Sequence, residues 1–147
     1  LLKSESNLAF RPEGQGYTGG IPDWSVQYGW RSDISVDYFQ RVVWPALAHR
    51  IPVFENLKLN GSFIGHYDTN SFDKNAIIGS WTGSGAEVCG NVYIAAGFSG
   101  HGIMHAPAAG LALSELILDG DYKTMDLSPF GYDRIISGRP YREIGII

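Results

Sequence analysis

The sequence predicts an α/β chain of mixed α+β character that carries only part of a sheet. Three observations predict it. Residues 91–96 (NVYIAA) are uniformly apolar over strand length, the pattern of a strand buried on both faces of a parallel sheet. A glycine-rich turn over 97–102 follows, and a helix is expected over about 106–119, with Leu111, Leu113, Leu116, Ile117 and Leu118 as its apolar residues. No other segment repeats that strand-then-helix pattern, so the parallel neighbours of 91–96 are expected from polypeptide elsewhere.

The elements before that unit are shorter. Residues 8–11 read as a strand, 12–16 as a turn with two glycines, and 17–20 as a return to extended chain. Residues 21–32 are aromatic-rich but contain Pro22 and Gly29, and read as loop. Residues 37–48 read as a helix capped by Asp33 or Ser35, with Tyr38, Phe39, Val42, Val43, Ala46 and Leu47 on one stripe. Pro45 predicts a break near Trp44. Residues 56–68 look like a strand through Leu57, Leu59, Phe63, Ile64 and Tyr67, with Gly61 marking a turn or bulge. A second short strand is expected at 76–79. In the later helix Pro107 suits the first turn and Gly120 the C-terminal stop. Residues 121–147 are polar with scattered apolar positions.

Composition narrows the function classes. The chain has 147 residues, 44% hydrophobic and 13% aromatic, enough for a packed core. Its formal net charge of −4 supplies no basic patch for nucleic acid and no polybasic stretch for a membrane surface. The apolar runs are too short to span a bilayer. A single cysteine, Cys89, rules out an intrachain disulfide, as suits a reducing compartment. The chain opens on Leu1 and its methionines are Met104 and Met125, so it is expected to be a processed piece or part of something longer. Its 19 glycines, above the average of roughly 7%, cluster in short loops.

The chemistry is expected at the 97–102 turn. Ligands of open α/β sheets sit beyond the carboxyl ends of strands. Glycine there permits close backbone approach, and the helix start offers free N–H groups with a partial positive charge. That combination suits an anion, or a flavin whose reduction places negative charge near N1 and the C2 carbonyl. The spacing is G-x-x-G-x-G, which is not the dinucleotide fingerprint. Without further information it equally describes a tightly packed helix entry.

Other constellations carry less. His101 and His105 are four apart, but Gly102 stands where a zinc-hydrolase motif needs Glu, and no metal is expected. Cys89 precedes an apolar strand with no activating cation beside it. Trp24, Trp30, Trp44 and Trp81 fall on different elements and are assigned to core and interface packing.

The run Asn91-Val92-Tyr93-Ile94-Ala95-Ala96-Gly97-Phe98-Ser99-Gly100-His101-Gly102 resembles the last strand, turn and helix of the D-amino-acid-oxidase-like FAD family, which includes sarcosine and glycine oxidases. Residues 37–55 (with Val43-Trp44-Pro45), 67–75 and Asp126-Leu127-Ser128-Pro129-Phe130 are similar to a narrower, mitochondrial group of that family tied to respiratory complex I assembly. The resemblance covers residues 8–147. It implies part of an FAD-binding Rossmann-like domain plus part of an antiparallel substrate-domain sheet. Residues 1–80 would belong to the substrate domain, 81–125 to the returning FAD-domain segment, and 126–147 to a tail. It implies FAD lined by Gly97, Phe98, Ser99, Gly100, His101, Gly102, Ile103 and Met104. Tyr67 and Met104 would lie on the substrate side, although a Tyr on such a strand also serves as packing. The family's ADP-binding G-x-G-x-x-G lies near the N-terminus of its members, and no counterpart is expected in this chain. The rest of the cofactor site is therefore expected from an N-terminal FAD-binding half, in the same chain or a separate one. The implied activity is oxidation of an amine or amino acid, and the implied alternative is a non-catalytic part of a large mitochondrial complex. Two departures matter. Met104 replaces the lysine with which sarcosine oxidases hold the substrate carboxylate, and Gly65 replaces their flavin-bonded cysteine, so the flavin is expected to be non-covalent.

Overall fold

The computed structural model describes residues 7–30, 36–81, 83, 90–142 and 144. The chain divides into two compact units, Leu1–His66 and Tyr67–Ile147.

The first unit begins with an antiparallel hairpin, β1 (Ala9–Glu13) and β2 (Gly16–Gly20), in register from Ala9 opposite Gly20 to Glu13 opposite Gly16. The strand over 8–11 and the extended 17–20 are thus found, with β1 running two residues further. The letters G-x-G-x-x-G do occur here, at Gly14, Gly16 and Gly19, contrary to the expectation that nothing in the chain matches them. They form a reverse turn and a strand rather than a strand-to-helix entry, so no helix N-terminus stands behind them to hold a pyrophosphate.

The expected helix is continuous from Val36 to Arg50 but changes register: α1 (Val36–Tyr38), a π segment (Phe39–Val43), then α2 (Trp44–Arg50). It does not break near Trp44. Pro45 has no N–H, and its ring would collide with the carbonyl four residues back. The chain relieves this by widening one turn, so that the Trp44 N–H donates to Phe39 O, five residues back. The proposed caps Asp33 and Ser35 lie outside the described residues. The predicted stripe does face the core: Val43, Ala46 and Leu47 are buried with Ile21 and Phe54, and Tyr38, Phe39 and Val42 pack against them. Phe10, Tyr17 and Phe54 form an aromatic cluster with centroids 5.0–5.5 Å apart.

Residues 57–66 correct the reading of 56–68 as a strand. Asn56 ends a 3₁₀ turn (Pro52–Asn56), and 57–68 has no ladder among the described residues. Leu59, Phe63 and Tyr67 stay exposed. An alternating pattern makes a strand only where a second edge supplies N–H and C=O partners. Tryptophans are not all core either: Trp24 and Trp30 are exposed, and the Trp30 ring stacks on His66 at 4.4 Å.

The second unit holds β3 (Ile77–Ser80), β4 (Tyr93–Ala96), α3 (Gly102–Asp119) and α4 (Asp133–Ile136). β3 and β4 pair antiparallel, from Ile77 opposite Ala96 to Ser80 opposite Tyr93. The apolar run 91–96 was expected to be buried on both faces between parallel neighbours. Its neighbour among the described residues is antiparallel, and its residues are half-buried or exposed. α3 also departs from its predicted stripe. It buries Ala109 and Ala112 against Ala76, Ile78 and Leu127, while Leu111, Ile117 and Leu118 are exposed. Small residues let helix and sheet approach closely, and the bulky face points away. Gly120 closes α3 in the left-handed conformation, as expected.

A buried ion pair ties this unit together. Arg134 Nε donates to Asp73 Oδ2 at 2.6 Å and one Nη to Oδ1 at 3.1 Å, with the two side chains 6% and 0% exposed. The remaining guanidinium donors reach Asn75 O, Ala76 O, Phe130 O and Gly131 O. Asp73 also accepts the Asn75 and Tyr141 N–H groups. Burial pushes the Asp73 carboxyl up, but the Arg134 hydrogen bonds and these two amides outweigh it, and the group lies below its ordinary value of 3.8.

Arg134→Met should cost about 3–5 kcal/mol in denaturant unfolding, because it strands a buried carboxylate. Since the folded pKa of Asp73 is depressed, its contribution is complete above 3.8 and lost as pH falls through the folded value. Stability below pH 3.8 should therefore fall more steeply in the wild type than in Asp73→Asn.

Candidate functional site

β4 ends in a turn whose backbone is unusual. Gly97 (φ +71°), Ser99 (+50°) and Gly100 (+93°) are all left-handed. Glycine adopts this freely, whereas an L residue is disfavoured there by about 1–2 kcal/mol. Ser99 is buried, and its Oγ donates to Gly97 O at 3.3 Å. A strained, buried residue of this kind persists only where surrounding bonds enforce it, and such residues cluster at ligand sites.

The enforcing bonds come from residues 67–75. Asp68 Oδ2 accepts the N–H groups of Gly97 at 2.8 Å and Phe98 at 3.3 Å, and Thr69 bridges antiparallel to Phe98. Asn70 Nδ2 donates to Asp73 Oδ1 at 2.7 Å and Asn75 O at 2.9 Å, and its Oδ1 accepts the Phe72 N–H at 3.0 Å. A Cβ at Gly97 would stand 3.0 Å from Asn70 Cβ, and one at Gly100 would stand 3.1 Å from the Tyr67 ring. The turn is moulded on these side chains.

The turn delivers the chain to the N-terminus of α3. His101 is its cap residue. The His101 N–H donates to Phe98 O at 2.9 Å, and its carbonyl accepts the Met104 and His105 N–H groups, both at 3.1 Å. Among the described residues no side chain caps the helix. The first two helical N–H groups, of Gly102 and Ile103, have no acceptor within the helix and point outward with its partial positive charge. Ile103 and Met104, 89% and 62% exposed, flank them.

The structure thus brings Tyr67 together with the 97–102 turn, through the ring laid across Gly100. It divides the predicted lining: the Gly97 and Phe98 amides are held by Asp68, while the α3 entry remains open. His101 and His105 stack at 5.6 Å, and among the described residues no cluster of three His, Cys, Asp or Glu could hold a metal. Cys89 lies outside the described residues. Sequence reasoning missed Asp68 and Asn70, whose partners lie 29 and three to five residues away. The available signal was an acid at the end of a strand-like run, directly before the polar stretch 70–75.

The residues present fit a flavin. An uncapped entry to an 18-residue helix would face the charge that reduction places near N1 and the C2 carbonyl. The exposed apolar pair at its rim would cover a ring edge.

Comparison with known proteins identifies the family. A family model described as DAO, FAD dependent oxidoreductase, matches residues 4–116. FAD-dependent oxidoreductase domain-containing protein 1 of Xenopus laevis is 42% identical over 100% of this chain, and that of Bos taurus 40% over 97%. The chain spans 29% of the length of each. Among solved structures, L-proline dehydrogenase from P. horikoshii superposes with a TM-score of 0.77 and 27% identity, over 94% of this chain and 35% of its own. No helix among the described residues is long and apolar enough to cross a membrane.

Asp68→Ala should release the turn. Hydrogen bonds to a charged acceptor contribute roughly 1.5–3 kcal/mol, so amide exchange at Gly97 and Phe98 should quicken by at least about tenfold, read by hydrogen–deuterium exchange.

Proposed function

This chain belongs to the DAO family of FAD-dependent oxidoreductases, and from that premise we propose that residues 97–104 form the flavin-ring side of an FAD site. The single observation that carries the proposal is the open N-terminus of α3, entered through a strained turn. In this reading the Gly102 and Ile103 N–H groups would hold the polar edge of the flavin, and the helix dipole would stabilise negative charge there. The Gly97–Gly100 turn closes on Asn70 and Tyr67 and so positions the α3 entry, where Ile103 and Met104 would exclude water from the ring's rim. Tyr67 and Met104 face the substrate. Bound FAD supplies a two-electron acceptor for hydride from a C–N bond of an amine or amino acid. The cofactor is non-covalent, because Gly65 offers no thiol. Its remainder is held by an N-terminal FAD-binding half, in the same polypeptide or another. Residues 1–80 close the substrate domain, 81–125 return to the FAD domain, and 126–147 form a tail.

One observation favours a second reading. Met104 sits exposed on the first turn of α3, where sarcosine-oxidase-like enzymes carry a lysine for the substrate carboxylate. A thioether cannot pair with a carboxylate. The second reading is therefore a non-catalytic component of a mitochondrial respiratory assembly of the complex I type, retaining the fold with or without FAD.

The native protein, purified with any companion chain, should be yellow, and one amine or amino acid from a panel should bleach it anaerobically. Flavin that no amine reduces would support the structural role instead. Ile103→Asp provides the site test. An acid in the first helical turn favours the helix by about 0.3–1 kcal/mol, so folding should survive. The same carboxylate beside the ring should lower the flavin reduction potential or the FAD content. If both are unchanged, the α3 entry does not face the flavin.

A further inference from the structure

Residues 57–66 leave one reactive dipeptide in the open. Of the six asparagines, only Asn60 is followed by glycine. Asn60 and Gly61 are exposed, belong to no helix or strand, and make no hydrogen bond found among the described residues. A Cβ placed on Gly61 would meet nothing within 4 Å, so no other segment packs against the glycine on that side.

We propose that Asn60–Gly61 is a site of spontaneous deamidation in the folded protein, yielding aspartate and isoaspartate at position 60. The Gly61 nitrogen attacks Asn60 Cγ. A C–N bond forms, the Cγ–Nδ2 bond breaks, and the amide leaves as ammonia, taking up the proton that Gly61 releases. Water then opens the resulting succinimide. Attack at Cγ gives aspartate, and attack at the main-chain carbonyl gives isoaspartate. No oxidant or reductant is involved. The reaction requires a free side-chain amide, a following residue without bulk, and backbone able to fold back on itself.

Three other asparagines and one aspartate each lack a requirement. Asn70 and Asn75 are held by side-chain hydrogen bonds in the Asp73 network. Asn56 donates to Val53 O and precedes Leu57. Asp119–Gly120 could form the same imide, but the Gly120 N–H is bound to Leu116 O at 3.2 Å in the close of α3. The product changes the segment in two ways. A carboxylate appears two residues from Lys58, and the iso form inserts a methylene into the main chain. That methylene shifts the alternation of Leu57, Leu59 and Phe63 on which any strand pairing here would rely. The freed main-chain carboxylate is a substrate for the class of methyltransferase that esterifies isoaspartate with S-adenosylmethionine.

The test ages the native full-length protein at neutral pH beside a sample in urea. Peptide mapping then follows replacement of the amide NH₂ by OH at every asparagine, and methyl transfer from labelled S-adenosylmethionine reports isoaspartate. The expected result is conversion at Asn60 ahead of every other asparagine and of Asp119, at similar rates with and without urea. Gly61→Ala should slow it sharply, and Asn60→Gln should abolish the methyl signal. An Asn60 that converts in urea but stays intact in the native protein would overturn the proposal, as would a methyl signal that survives Asn60→Gln.

Discussion

The second unit depends on one carboxylate–guanidinium pair. Asp73 and Arg134 are 61 residues apart, and their contact fixes both ends of the unit. Around it the Arg134 donors collect carbonyls from residues 75–76 just before β3 and from residues 130–131 before α4. A buried ion pair of this kind adds little net stability over a well-packed apolar cluster, because desolvation offsets the Coulomb attraction. What it supplies here is position. Asp73 Oδ1 also accepts Asn70 Nδ2, and Asn70 defines the wall against which Gly97 turns. The conformation of the candidate flavin turn is thus coupled to the C-terminal tail through three side chains, Arg134, Asp73 and Asn70.

This coupling explains what was legible in the sequence and what was not. Local features were readable, since their causes lie within a few residues: the stripe from Tyr38 to Leu47, the glycine stop at 120, and the turn after 91–96. The π segment was half legible. Pro45 announced a disturbance, but whether a helix breaks or widens depends on whether both flanks pack on one core, as Tyr38 on one side and Ala46 and Leu47 on the other do here. Asp68, Asp73 and Arg134 were harder to single out, because their key partners lie 29 to 61 residues away and nothing near them in sequence names those partners. The same holds for β4. A uniformly apolar run suggests two covered faces, but it does not reveal the direction of its neighbour.

The errors over 56–68 and over α3 share a cause. In both places the apolar pattern belongs to surface that nothing among the described residues covers: Leu59 and Phe63 in one, Leu111, Ile117 and Leu118 in the other. Hydrophobic periodicity reports what a chain is selected to bury, whether or not the covering surface is in the same stretch of sequence. A chain spanning 29% of its relatives' length is where such a mismatch is expected.

The turn itself shows why its glycine spacing differs from the dinucleotide fingerprint. In that fingerprint the glycines serve a pyrophosphate lying directly on the helix start. Here the first glycine, Gly97, accommodates Asn70, and the second, Gly100, accommodates the Tyr67 ring. Both face the protein's own side chains. The strain of the turn falls on Ser99 between them, where no glycine relieves it. The glycines therefore bring side chains close behind the turn, and its outer side, at Gly102 and Ile103, is left with amides and a dipole. An edge of that composition suits a planar ring with a polar carbonyl better than a compact phosphate, which would need its oxygens surrounded.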